Sequence, residues 1–141
     1  MTEKDKELLF KDLSARLPYH VKCKVWLKYG TTEEGLLDLE HNYGDVLQDA
    51  FFYTDRIKDI KPYLRPMSSM PEEEREFLNR MALENSLKCI EEEDPQKVFL
   101  LRVKHDAEEL SYLYKHHYDV NGLIPKGLAI EVTEDNNPYK D

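Results

Sequence analysis

Apolar positions along the chain change their period several times, and each change predicts an element. Leu8, Leu9, Leu13 and Leu17 recur at spacings near three and four, which predicts one apolar stripe on a short helix over residues 3–17 that Pro18 stops. From residue 20 to residue 29 the period becomes two. Val21, Cys23, Val25, Leu27 and Tyr29 fall on one side, and His20, Lys22, Lys24, Trp26 and Lys28 on the other, as in a strand with a buried and an outer face. Gly30 and Gly35 bracket a Thr-Thr-Glu-Glu turn, and Leu37 and Leu39 then alternate with Asp38 and Glu40, which predicts the returning strand of a hairpin. A turn at residues 42–45 and a third strand at 46–53 complete an expected antiparallel meander.

Residues 55–66 carry Ile57, Ile60 and Leu64, but Pro62 and Pro66 predict only a packed connector. The spacing of Ser69 and Glu72 around Pro71 is that of a capping box, so a helix is expected to start there and to carry Phe77, Leu78, Met81, Leu87 and Ile90 inward as far as the acidic run 91–94. The short apolar run at 97–104 reads as a buried strand. A helix over 106–117 follows, broken before a last apolar segment at 128–132, and the tail from residue 133 is expected to fray. The resulting expectation is a single α+β domain of 141 residues: helix plus meander over 1–67, a helical and strand half over 68–132, and a short tail.

Composition narrows the function classes. The chain carries 20 Lys+Arg against 29 Asp+Glu, and almost all of the net charge of -9 lies beyond residue 67. Such a surface repels a phosphate backbone unless a local basic patch overrides it. No basic stretch and apolar run at the start marks a secretory signal, and no window approaches a membrane span, so a cytoplasmic setting without membrane attachment is expected. Cys23 and Cys89 lack the spacing of a zinc site or redox pair and read as reduced core thiols.

Three stretches carry a resemblance: LLFKDLSARLPY at 8–19, IKPYLRPMSSM at 60–70 and HHYDVNGLIPKGLAI at 116–130. Together they resemble an uncharacterised family of short proteins of gut Bacteroides bacteria and their phages. The chain departs from that pattern at Pro71 and at Val120–Asn121. The resemblance implies a bacterial or phage cytoplasmic setting, and it brings no activity or catalytic residue.

Candidate chemistry is sparse. His116 and His117 stand beside Asp119, with His105 one helix earlier, but adjacent helical residues point about 100° apart and do not share an ion readily. No nucleophile elbow or glycine-rich phosphate loop occurs, and the carboxylate runs at 72–76 and 91–94 sit where acids complement a helix dipole or solvate a turn. No catalytic residue, metal or cofactor is therefore assigned. The stripe Lys22, Lys24, Trp26 and Lys28 is the most suggestive feature, because cations interleaved with an aromatic on a strand face can neutralise phosphates while stacking a base. Against it stands a solvated outer sheet face, with Asp38 and Glu40 on the neighbouring strand pairing with the lysines. Leu123 and Ile124, between Gly122 and Gly127, form a second candidate contact whose alternative is packing beneath the last helix. The expected function is a non-catalytic protein-interaction or regulatory protein with a protein partner or a second copy of itself. Nucleic-acid binding by the Lys/Trp face is the rival, and enzymatic activity comes third.

Overall fold

A computed structural model describes residues 2–27, 32–37 and 57–140, and these form an α+β structure. Helix α1 (Glu3–Arg16) opens on a reciprocal cap: the Thr2 hydroxyl accepts from the Asp5 amide at 3.1 Å, and the Asp5 carboxylate accepts from the Thr2 amide at 3.3 Å. Two donors of the first turn are thereby satisfied. The expected leucine stripe faces inward, with Leu9 and Leu13 wholly buried and Leu8 and Leu17 packed against the same cluster. Pro18 ends the helix in a short 3-10 turn (Leu17–Tyr19), and His20, left-handed at φ 57°, swings the chain into strand β1 (Val21–Leu27).

The alternation of β1 sets its two faces. Val21 and Cys23 are buried and Val25 packs against the core, whereas Lys22, Lys24 and Trp26 on the other face are half-buried rather than open to solvent. Strand β2 (Thr32–Leu37) pairs antiparallel with β1 from Trp26↔Thr32 to Val21↔Leu37. The expected turn residues Thr32, Glu33 and Glu34 thus already belong to the returning strand, with Gly35 opposite Cys23. Lys28, Tyr29, Leu39, the turn at 42–45 and the third strand at 46–53 lie outside the described residues.

The segment expected to be a connector is instead an eight-residue strand, β3 (Ile57–Leu64), antiparallel to the other side of β1. Its tolerance of Pro62 has a geometric cause. The Lys22 amide donates at 3.0 Å to the Tyr139 hydroxyl, which donates at 2.7 Å to the Tyr63 carbonyl, so the Lys22 amide points toward β3. Because antiparallel pairs alternate, Lys24–Lys61 and Trp26–Asp59 are then the pairs that exchange ladder bonds, and Cys23–Pro62 is not. The missing Pro62 donor costs the β1 ladder nothing. On the same logic the Ile60 amide points to the outer edge, where the Asp59 carboxylate accepts it at 2.9 Å. A two-residue strand β4 (Ile130–Glu131) runs parallel to β3 from Tyr63↔Ile130, giving the sheet order β2-β1-β3-β4. Where β1 ends, Tyr118 takes its place through a parallel bridge to Arg65.

The chain divides into two compact units, Met1–Met67 with Tyr114–Asp141 and Ser68–Leu113. The first contains α1, the sheet and a core of Leu9, Leu13, Val21, Cys23, Ile60, Leu64, Leu123 and Leu128. Its tail is pinned rather than frayed. Asn136 bonds Thr133 and the Glu131 carbonyl, and Tyr139 packs on the core.

The second unit is a helical hairpin. Helix α2 (Glu72–Glu91) has Pro71 at its N-cap and no side-chain cap, so the expected capping box is not what starts it. The Pro71 carbonyl accepts from the Arg75 amide, and Glu72, Glu73 and Glu74 complement the helix dipole. Residues 97–104 are not a strand, because they lie within helix α3 (Pro95–Lys115). Its start is built by Asp94, whose carboxylate accepts from the Gln96 amide at 3.0 Å, with Pro95 at the first helical position. The helix ends at Lys115, before the expected boundary, and His117 follows in the left-handed conformation at φ 64°.

Candidate interaction surfaces

The outer sheet face brings together Lys24, Trp26 and one residue the sequence reading left out. Lys61 faces Lys24 across the β1–β3 pair, and the two ammonium groups lie 5.4 Å and 5.7 Å from the Trp26 ring centroid, within cation–π range. One described acidic residue borders this face at a position other than those expected. Asp59 stands opposite Trp26, and the β2 register puts Glu34 opposite Lys24 and Leu36 opposite Lys22, while Asp38 and Glu40 fall outside the described residues. No polar–apolar alternation over 57–64 marks Lys61 as a strand residue, and Pro62 argues against a strand there.

The Gly122–Gly127 loop does not present its apolar pair. Leu123 is wholly buried in the core and Ile124 packs against it, which removes Leu123 as a contact residue. Asp119 explains the loop: its two carboxylate oxygens accept from the Leu123 amide at 2.8 Å and the Ile124 amide at 2.9 Å. A carboxylate engaged in this way is holding a turn. No group of three metal-ligating side chains occurs among the described residues.

A buried polar network lies under the same loop. Asp12 and Arg16, both fully buried, pair at 2.7 Å and 3.1 Å; Arg16 also donates to the Tyr118 carbonyl at 2.7 Å, and Asn121 donates to Asp12 at 2.8 Å. The guanidinium lies 4.8 Å from the Tyr114 ring centroid, and its Nη1 has no hydrogen-bond partner. Close by, His117 stacks on Tyr139 with centroids 3.8 Å apart. Burial, reinforced by the positive charge of Arg16, His116, Arg65 and His20, pushes His117 down to about 4. Burial likewise raises the Tyr139 phenol and the Cys23 thiol, so both are neutral and unreactive. The i, i+4 spacing of Asp12 and Arg16 was visible in the sequence, but nothing local marked the pair as buried.

The helical hairpin presents a different surface. Phe77 and Tyr112 stack with centroids 5.0 Å apart, and a shallow groove of about 100 Å³ between the helices is lined by Met81, Glu84, Asn85, Lys88, Leu101, Lys104, His105 and Glu108. That volume is far below the roughly 300–1,000 Å³ of small-molecule sites. No residue of α2 is buried, and Leu113 is the one buried residue of α3. Three residues expected to point inward, Phe77, Leu87 and Ile90, are exposed, while Leu78 and Met81 are half-buried. Leu83, Phe99, Leu100, Val103 and Leu110 are exposed as well. The cause is topological: each helix has one neighbour in this unit, so Leu83, Leu87 and Ile90 on the far side of α2 meet no other element of it, while Phe77 stays exposed beside its Tyr112 stack. No helix among the described residues is long and apolar enough to cross a membrane.

Comparison of the chain with protein-family models, with curated proteins and with solved structures gives no match.

Proposed function

We propose that the protein is a non-catalytic interaction module that docks on a protein partner through its α2–α3 hairpin. One observation carries this reading: eight large apolar side chains on two adjacent helices face solvent. Isolated exposed apolar residues are ordinary on any surface, but eight of them on two adjacent helices, three in register along the outer side of α2, are the kind of exposure that marks an interaction site. The test is affinity capture from a bacterial lysate with the wild-type protein and with a Leu87→Asp/Phe99→Asp variant. Proteins retained by the first and lost by the second support the reading, and identical retained sets refute it.

A second reading is favoured by the two ammonium groups over Trp26, which form a cationic aromatic platform suited to single-stranded nucleic acid. The adjacent Asp59 and the net charge of -9 oppose it. It predicts micromolar binding of a fluorescent oligonucleotide near 150 mM salt, lost in Trp26→Ala and in Lys61→Ala.

A further inference from the structure

The two helices of the hairpin differ in charge, and the difference selects a partner. Residues 72–94, comprising α2 and the turn after it, hold nine carboxylates against three cations, whereas residues 95–113 of α3 hold three of each. The acidity therefore runs along α2. On that helix Leu83, Leu87 and Ile90 lie at i, i+4 and i+7, one above another, and they are 60%, 52% and 79% exposed. Glu74, Leu78, Met81, Ala82, Asn85 and Cys89, at the complementary spacing, are the half-buried ones, so the exposed stripe occupies the side away from α3.

This face has the pattern of a helix-packing seam whose second helix is missing: three apolar positions in register, with Glu76 and Glu91 beside them, Glu84 toward the groove side, and Arg80 as the one cation on the same face. A second copy of the chain fits poorly, because pairing the same face about a two-fold axis gathers the bordering carboxylates of both copies at one seam. An anionic membrane or a nucleic acid meets the same repulsion. The complementary occupant is a helix with an apolar stripe at the same spacing and lysine or arginine along its edges.

We propose that the outer face of α2, Leu83, Leu87 and Ile90 with its acidic border, binds a basic amphipathic helix of a partner protein. This rests on the hairpin being the interaction surface and adds which helix is used and what it receives. Hydrophobic contact supplies the affinity, and the carboxylates supply attraction and select against acidic helices.

The probe is a synthetic 18-residue amphipathic peptide of leucine and lysine, compared with a leucine/glutamate peptide of the same apolar pattern and with a lysine-only peptide. Titration of the full chain by fluorescence anisotropy at about 150 mM salt is expected to give saturable binding of the leucine/lysine peptide alone. The variant Leu83→Asp/Leu87→Asp/Ile90→Asp should weaken it by about tenfold or more. These side chains are exposed, so the helix should survive, and circular dichroism checks that it does. The triple variant also discriminates mechanisms, since it adds negative charge and would strengthen a purely electrostatic contact. Equal binding by the variant, equal binding of the glutamate peptide, or tight binding of the lysine-only peptide overturns the proposal. A concentration-dependent dimer that the triple variant dissociates also overturns it, in favour of a second copy, and leaves the interaction reading standing. Loss of that reading shows separately, as capture from lysate that the hairpin variant does not change.

Discussion

Replacing Tyr139 by phenylalanine removes one oxygen atom and tests the proposed architecture of the sheet end. The ring can keep its stack on His117 and its packing on the core, so the variant isolates the hydroxyl. That hydroxyl accepts from the Lys22 amide and donates to the Tyr63 carbonyl, in the gap where continued pairing would place Lys22 opposite Tyr63. Each lost bond is worth about 0.5–1.5 kcal/mol net, and an orphaned buried partner adds roughly 1–3 kcal/mol. Tyr63 is buried and Lys22 only half-buried, so the larger penalty falls on the Tyr63 carbonyl. The expected destabilisation is therefore about 2–3 kcal/mol, a large share of the roughly 5–15 kcal/mol that holds a typical domain together. Urea unfolding should show a lower midpoint at unchanged slope, and the Lys22 amide should exchange faster with deuterium. The reasoning fails if β1 and β3 simply close on each other. In that case Lys22 bonds Tyr63 directly, its amide stays protected, and the loss falls below about 0.5 kcal/mol.

Other perturbations address the core and its buried charges. Leu13→Ala, at a wholly buried position, should cost about 2–5 kcal/mol in urea unfolding, and a loss below about 0.5 kcal/mol would show the helix to be peripheral. Asp12→Ala leaves the Arg16 guanidinium buried without its carboxylate and should cost about 3–5 kcal/mol, measured in the same way. His117, depressed to about 4 from an ordinary 6.5, binds its proton in the unfolded chain first, so stability falls as pH drops from about 7 to 4. The contribution is about 2–3 kcal/mol after allowance for its partial exposure. His117→Asn, which tolerates the left-handed backbone, should flatten that part of the pH–stability profile, and an unchanged slope assigns it to other groups.

Much of the first unit was legible because its signals are local and periodic. The leucine spacing of α1 and the alternation of β1 each translate directly into a buried face. Strand β3 was hidden by Pro62, whose harmlessness depends on which pairs of the β1–β3 ladder exchange bonds, a fact of register rather than composition. The run at 97–104 was misread because a short apolar stretch has no period of its own; Asp94 and Pro95, a cap and a first-turn proline, were the better guide. The exposed hairpin face was the least legible. Leu87 and Ile90 look like core residues in sequence, and the absence of a second neighbour in their unit turns them outward; Phe77 is exposed even though it stacks on Tyr112 of α3. Of the candidate contacts, Lys24 and Trp26 do share a face, and Lys61 joins them across a strand boundary that no local pattern announces.

The central claim, that the α2–α3 hairpin is the docking surface, is tested most directly by hydroxyl-radical footprinting of the free protein and of the complex captured from lysate. Labelling of Leu83, Leu87, Ile90 and Phe99 should fall in the complex, while Trp26 remains as reactive as in the free chain. Protection confined to Trp26 and its strand, with the hairpin residues unchanged, would contradict the account and transfer the interface to the sheet.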